Sequence, residues 1–598
     1  MTIEFPYGLA DFYALITENY LYIDRSDRIP LLEKAGRQLI FLRPRRFGKS
    51  LWLSLLENYY DIARASEFDK LFGHLAIGKQ PTPRRNRYFI LKWDFSIVNA
   101  QGNAEEITQK LHQYLNACTK DFFSRYRDFL SKSELEIEED NAVVGFLSVL
   151  RAARGAGHPV YLLIDEYDNF ANEVMMSRQR GARDRYEALL YGEGALKSLF
   201  KTVKAAAAGM GLERVFITGV SPVAMSDVSS AYNVAKNISH RDQFNDLCGF
   251  HEREITTVLE QVAESCRLSP EEVGKALEMM RVFYNGYRFS THVRERIYNP
   301  TMVIYFLEYL RDECRYPEEI LDENLATDRL KLEYVSTLPG GPEILTQILD
   351  IQQSVGISAL SKRFGVADVL NSARDGAVTA SLLYYLGMLT LDTEITDQGE
   401  TTLTVPNLTA RDLYLERLRE LRLPSGQETD EIRAVAKQLY GRGDIQPLCE
   451  FIERERMQLF DNRDYASANE LTIKAVFLML LAGNIFYILD SETELQRGYA
   501  DLTMIVRPDM RQYELLDILI EFKYLSLEKL KLSGRQVREM PREALEQLAE
   551  VEKQRRQAET GLSGYRAALQ KKYGDLLRLR CFSVVAVGFE RLLWAGFG

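Results

Sequence analysis

A short apolar run that breaks at a Gly-Lys-Ser tripeptide and resumes as an amphipathic helix constrains this sequence most. The run RQLIFL reads as a strand, and FGKSLWLSLLENYYDIA as a turn that passes into a helix. The same alternation recurs in RYFILKWDF, PVYLLID and RVFITGV, short β-branched and aromatic runs separated by long amphipathic stretches. Such alternation is how a parallel sheet with crossover helices appears in sequence, so the first third is expected to be α/β.

A glycine where a strand turns into a helix leaves backbone N–H groups facing outward, where they suit phosphate. Arg45, Arg46, Phe47, Gly48, Lys49, Ser50 and Leu51 are therefore expected to line a nucleotide site. Lys49 would reach the β and γ oxygens, and Ser50 would ligate Mg²⁺. The first glycine of the usual G-x-x-x-x-G-K-S/T pattern is replaced by Arg43, and a lone GKS often marks only a helix start. A second element adds weight: residues 160–166 (VYLLIDE) are a buried strand ending in two acids, at the strand end where open α/β sheets bind ligands. Asp165 would hold Mg²⁺, directly or through water, and Glu166 would polarise the attacking water. Thr218 and Ser221, closing the run RVFITGVS, are placed to sense the γ-phosphate, although hydroxyls at a strand end are more often turn formers. No arginine finger is assigned; Arg45, Arg46 and Arg241 qualify by type alone.

Residues 252–336 turn helical, and Ser269-Pro270-Glu271-Glu272 is a helix start in which serine caps, proline fits the first turn and acids suit the dipole. This stretch is expected to form a helical lid. Residues 346–425 give helices and then two strand-like runs around a turn, as in a small winged helix. Beyond them, a helix (NELTIKAVFLMLLAG), three strands and a long helix suggest a separate α/β domain with a mostly antiparallel meander. The expected domains are 1–255, 256–345, 346–425 and 426–598.

The segments PYGLADF, YLYIDRSDRIPLLEKAGRQLIFLRPRRFGKSLWLSLLENYYD, LLIDEYDN, ITGVSPV, FNDLCGFHEREI, YNGYRFS and IYNPTMVIYFL, in order over roughly 1–310, resemble the AAA-ATPase-like family, which is usually fused to a PD-(D/E)xK nuclease domain. The resemblance implies an AAA-like P-loop fold with Lys49, Ser50, Asp165 and Glu166 in the roles above. It also makes RPRRFGKS the family's own form of the loop, with Arg43 typical of the group.

Metal-dependent phosphodiester cleavage needs carboxylates to hold a divalent ion and a lysine to position or activate water. Asp501 enters one predicted strand, and Glu521-Phe522-Lys523 lies on the next. Strand alternation puts Glu521 and Lys523 on one face, and a hairpin can bring Asp501 opposite them. Glu470, opening the helix before these strands, resembles the helical metal ligand of the superfamily, and Gln547 resembles the glutamine of its following helix. Tyr499 stands where related domains often carry arginine. The expected fold is thus an α/β multidomain chain: a P-loop NTPase with helical lid and winged helix, then a restriction-endonuclease-like domain.

Size and composition fit this reading. At 598 residues, 46% apolar and 27% charged, the chain is a soluble multidomain type. The N-terminus lacks the basic and apolar pattern of a secretory signal, and the apolar run 475–489 is short of the roughly 20 residues of a membrane span and reads as a buried helix passing into a strand. Six scattered cysteines indicate neither a disulfide framework nor zinc, which fits a cytoplasmic location. A net charge of −11 leaves room only for a local basic face. The Lys- and Arg-rich residues 523–580 offer one, but their interleaving with glutamate equally suits a solvated helix. The chain is expected to bind ATP and Mg²⁺, with Mg²⁺ or Mn²⁺ at the second site, and to act on DNA rather than RNA, with a role in defence or mobile-element biology by analogy alone. Self-association is left open, and no membrane partner is expected. The alternative is an ATP-responsive scaffold that grips nucleic acid or protein without catalysis.

Overall fold

The structure is a computed structural model that describes residues 3–597 except 132, 177–181, 191–193, 229–231, 321–325, 339–340, 342–343, 346–354, 371–375, 396–399, 423–426, 457–469, 482–485, 491–492 and 496–497. The chain forms two compact units, each built from three stretches of sequence: 1–314, 334–342 and 355–407 in the first, and 315–333, 343–354 and 408–598 in the second.

The first unit is organised by a five-stranded parallel sheet of β1 (Gln38–Leu42), β2 (Phe89–Asp94), β3 (Val160–Asp165), β4 (Leu212–Gly219) and β5 (Lys236–Asn237), in the order β2-β3-β4-β1-β5. Every residue of β3 is buried, as expected for a strand covered on both faces. The helices α1 (Lys49–Tyr60), α2 (Ala104–Arg125), α3 (Ala142–Gly155) and α4 (Ala195–Ala207) follow strands or precede them, α1 packing on β2, β3 and β4, α2 on β2 and α4 on β4. The register pairs Phe41 with Thr218, Ile164 with Ile217 and Asp94 with Asp165, so β1, β3 and β4 end together at one edge of the sheet. That shared edge is what brings residues distant in sequence into one site.

Behind it, Asp61 pins the P-loop helix. This fully buried carboxylate, at the C-terminal cap of α1, accepts from Ala63 N at 2.9 Å and Tyr126 Oη at 2.8 Å and pairs with Arg125 at the end of α2. Three further helices follow the sheet: α5 (Glu252–Cys266), α6 (Pro270–Tyr284) and α7 (Pro300–Glu313). α6 begins as anticipated, with Pro270 in its first turn and a capping box between Ser269 and Glu272. Later in the unit, α8 (Gly376–Tyr385) precedes an antiparallel hairpin of β7 (Thr390–Ile395) and β8 (Thr401–Thr404), with β6 (Val355–Ile357) on the other side of β8.

The cysteine expectation needs correction, because Cys266 and Cys314 form a disulfide. They sit at the C-terminal ends of α5 and α7, which pack side by side, a juxtaposition that spacing in the sequence does not reveal.

The second unit holds a mixed sheet of β9 (Tyr487–Asp490), β12 (Leu502–Val506), β13 (Asp517–Leu525), β14 (Leu579–Val587) and β15 (Arg591–Phe597), ordered β15-β14-β13-β12-β9, beside a small antiparallel pair of β10 (Thr493–Leu495) and β11 (Gly498–Ala500). It is not a simple meander: β13 and β14 run parallel, and parallel neighbours need a crossover connection. Within that connection the long helix α10 (Ala549–Tyr573) packs back on both strands. The apolar run read as helix then strand is α9 (Glu470–Leu481) followed by β9, and α9 packs on β13. Among the described residues, no helix is long and apolar enough to cross a membrane.

Asp61→Ala is expected to lower the stability of the first unit by about 3 kcal/mol, because buried donors lose their acceptor while Arg125, partly solvated, is only incompletely stranded. Urea unfolding followed by tryptophan fluorescence checks this, and an unchanged midpoint contradicts it.

Candidate functional site

At the shared strand edge, residues 43–48 arch from β1 into α1. The arch needs two left-handed residues, Arg46 (φ 67°) and Gly48 (φ 86°), and a Cβ added to Gly48 would meet nothing within 4 Å. Glycine thus serves the backbone turn there. Lys49 is 5% exposed, and its Nζ donates to the Pro44 carbonyl at 2.9 Å. Burial lowers the pKa of this ammonium, while the carboxylates of Glu166, Asp165 and Asp168 oppose the shift. Burial likewise raises Glu166, against the opposing charges of Lys49 and Arg45. Glu166 itself adopts a left-handed backbone (φ 45°), uncommon for a residue other than glycine.

The remaining nucleotide-site expectations divide. Arg46, Phe47, Gly48, Lys49, Ser50 and Leu51 line a cavity of about 260 Å³ together with Glu166. Arg45 reaches instead to Asn169 Oδ1 at 2.5 Å, just past the β3 acids. Thr218 hydrogen-bonds Asp165, which also accepts from Glu166 N at 3.0 Å. Ser221 belongs to a different carboxylate: Asp168 accepts from Val220 N at 3.1 Å, Ser221 N at 2.8 Å and Ser221 Oγ at 3.2 Å. Asp168 was missed in the sequence, where it reads as one more polar residue after the strand. The cavity's other walls were also missed: Leu9, Tyr22 and Ile23 near the N-terminus, residues 247–250, and Pro300 and Thr301 at the start of α7. Thr301 Oγ1 donates to the Arg46 carbonyl at 3.1 Å, which ties α7 to the arch. A triphosphate fits this setting chemically, since a buried ammonium, a helix N-terminus and an apolar wall share one cavity.

In the second unit, β12 and β13 pair with Leu502 opposite Ile520, which puts Asp501 opposite Glu521. Asp501 Oδ2 accepts the Phe522 N–H at 2.8 Å and so is fixed by the neighbouring strand. The Lys523 ammonium lies 3.1 Å from Glu521, 3.4 Å from Glu470 and 4.0 Å from Asp501. The four predicted residues therefore surround one point, brought there by α9, the start of β12 and β13. Burial and the facing Asp501 push the Glu521 carboxyl up to about 7, against the pull of Lys523. Burial also raises Glu470, whereas Lys523 is raised because Glu521, Asp501 and Glu470 outweigh its burial. Lys474, one turn beyond Glu470 on α9 and 3% exposed, places its ammonium 4.0 Å from Asp501, an addition that the sequence reading missed. From the other side, α10 brings Gly561 and Tyr565 against Glu521. Gln547 lies instead at the C-cap of the short helix Arg542–Glu546.

Among the described residues, no three His, Cys, Asp or Glu side chains are gathered closely enough to form a ready-made metal centre, and the carboxylates spread around Lys523 instead. The donor set nevertheless suits a hard divalent cation, since Glu521 Oε2 is buried without a hydrogen-bond partner. Five arginines of the basic stretch after Lys523 are paired with carboxylates: Arg535 with Glu539, Arg538 with Glu590, Arg542 with Glu453, Arg555 with Glu559 and Arg556 with Glu552.

Comparison with known proteins agrees with both halves. Residues 6–229 match the family described as predicted AAA-ATPase, and residues 468–571 match the PD-(D/E)XK nuclease superfamily. An uncharacterized protein in the vnfD 5′ region of Azotobacter chroococcum mcd 1 is 25% identical over 307 residues, and the chain spans about half the length of this curated relative (50% of each). Among solved structures, the Aeropyrum pernix ORC1 protein in complex with DNA aligns at 14% identity and TM-score 0.25, over 69% of this chain and 98% of that one. The Aeropyrum pernix ORC2 protein in ADPNP–ADP complexes aligns at 12% identity and TM-score 0.31, over 68% and 98%.

Asp168→Ala removes the acceptor of two backbone N–H groups at the end of β4. Hydrogen exchange at Val220 and Ser221 is expected to accelerate by about tenfold or more, the worth of a hydrogen bond to a charged group. Unchanged exchange at both amides contradicts this placement of Asp168.

Proposed function

We propose that this chain, which joins an AAA-ATPase-like domain to a PD-(D/E)XK nuclease superfamily domain, hydrolyses ATP in the first and cleaves DNA in the second under nucleotide control. One observation carries the reading: twice in one chain a lysine largely shielded from solvent stands among carboxylates, supplied by the end of β3 and the turn after it in the first unit and by β13, the start of β12 and the start of α9 in the second.

In the first site, the backbone N–H groups of 46–50 would cradle the phosphates and Lys49 would neutralise them. Ser50 and Asp165 would hold Mg²⁺, which would supply neutralisation of the phosphate charge. Glu166 would orient the attacking water and take its proton. Thr218 donates to the Asp165 carboxylate, and Ser221 to that of Asp168. In the second site, Asp501 and Glu521, with Glu470, would hold the divalent cation, whose role is Lewis-acid support of the phosphodiester. Lys523 would position water and stabilise charge on the phosphate oxygens.

Lys49→Ala is expected to reduce ATP turnover by at least about a hundredfold, since it removes a preorganised charge from the phosphates. Asp501→Ala and Glu521→Ala are expected to reduce cleavage of plasmid and linear DNA by about a thousandfold in Mg²⁺ or Mn²⁺. Cleavage by the Asp501→Ala protein at the rate of the unaltered chain rejects the site assignment. With ATP present, DNA cleavage by the Lys49→Ala protein that equals the unaltered rate rejects nucleotide control.

The raised Glu521 carboxyl gives a pH test with a definite sign. Below about pH 7 Glu521 carries a proton that a bound cation must displace, so apparent Mn²⁺ affinity should weaken as pH falls below that point, by up to about tenfold per unit. Calorimetry at pH 6 and pH 8, in buffers of differing ionisation heat, reads both the affinity and the released proton. Equal affinity with no proton release contradicts the assignment of Glu521 as a ligand.

A further inference from the structure

Arg43 stands where the usual phosphate-binding turn has its first glycine, yet the backbone there needs none. The left-handed residues of the arch are Arg46 and Gly48, and Arg43 is not among the positive-φ positions. Its side chain is 1% exposed. Nη1 donates to the carbonyls of Leu42 at 2.9 Å and Ser239 at 2.8 Å, and Nη2 to those of Phe244 at 2.7 Å and Asn245 at 3.3 Å. The guanidinium carbon lies 4.3 Å from the centre of the Phe41 ring and 4.0 Å from that of Phe289. A planar fork with several fixed donors fills such a seat, whereas an ammonium is a point donor.

The seat matters because of where the 239–250 segment leads. Ser239 Oγ accepts the Leu42 N–H at 2.8 Å, and Asn245 Oδ1 accepts those of Phe289 at 2.9 Å and Ser290 at 3.1 Å. Arg25 holds the same segment from the N-terminal side, donating to the carbonyls of Asp246 and Gly249 at 3.0 Å each. The segment then forms the cavity wall at residues 247–250, facing the arch that presents Lys49.

We propose that Arg43 is a positioning residue that locks the Lys49 arch in register with the 247–250 wall, so that a side chain does here what a glycine does in the usual motif. The inference rests on the nucleotide reading of this cavity. It makes an unusual demand: Arg43→Gly, which brings the sequence closer to the usual pattern, should impair the site.

The test uses the full chain, a fluorescent ATP analogue, and hydrogen exchange of residues 43–50 and 239–250 without nucleotide. Arg214 supplies the control for loss of a buried arginine. It is 2% exposed near the start of β4, at the other end of the sheet, and donates to the Gly36 carbonyl at 2.6 Å. Arg43→Gly should weaken analogue binding by about tenfold or more and accelerate exchange in both segments, with Arg43→Lys recovering only part of the loss because it cannot reproduce the fork. Arg214→Met should lower the melting temperature while leaving both readouts near those of the unaltered chain. Should Arg43→Gly fail to fold, Arg43→Lys carries the test through the same measurements. Binding and exchange unchanged by substitution at Arg43, or equal weakening by Arg214→Met, overturns the proposal. An unaltered chain that does not bind the analogue, while exchange still responds to Arg43, instead overturns the nucleotide reading and reduces Arg43 to a structural clamp.

Discussion

Carboxylates crowded into a poorly solvated pocket repel one another, and a cation set among them offsets that repulsion. Both candidate sites are solutions to that constraint. Lys49 balances Glu166, Asp165 and Asp168 at the edge of the parallel sheet, and Lys523 balances Glu521, Glu470 and Asp501 in the mixed one. The displaced titration of Glu521 records how incomplete the balance is there: burial and Asp501 push its carboxyl upward more than Lys523 restrains it. Such a site has room for further positive charge, which a divalent ion can supply.

Topology supplies the acids. In the first unit β4 lies between the strand that leads into Lys49 and the strand that ends in Asp165, and Thr218 on β4 bonds directly to Asp165. In the second unit the antiparallel pairing of β12 with β13 sets Asp501 against Glu521, and α9 packs on β13 to deliver Glu470. Each site therefore depends on sheet register, where a slip of one residue turns every side chain to the opposite face.

What was legible in the sequence follows from this. Strand periodicity is local, so β1, β3, β4, β12 and β13 could be read directly, and alternation fixed Glu521 and Lys523 on one face. The Ser269 cap was equally visible, because capping is decided within four residues. Contacts set by packing were not. Nothing around Arg43 announces that its partners lie some 200 positions away, that Asp168 holds the end of β4, or that Lys474 faces Asp501 from within an apolar helix. Gln547 was read from its order in the chain and stands at the C-cap of Arg542–Glu546, whereas the approach of Gly561 on α10 to Glu521 had no signal in the sequence. The Cys266–Cys314 pair escaped notice for the same reason: helix ends that pack together leave no spacing pattern.

If the two clusters are cation-holding sites, anomalous scattering will locate a metal in each. Crystals grown with Mn²⁺ and a non-hydrolysable ATP analogue should show one manganese peak beside Ser50 and Asp165 at the triphosphate, and another between Asp501 and Glu521. Manganese found only on surface carboxylates, with Lys523 still sitting among Glu470, Asp501 and Glu521, would contradict the account.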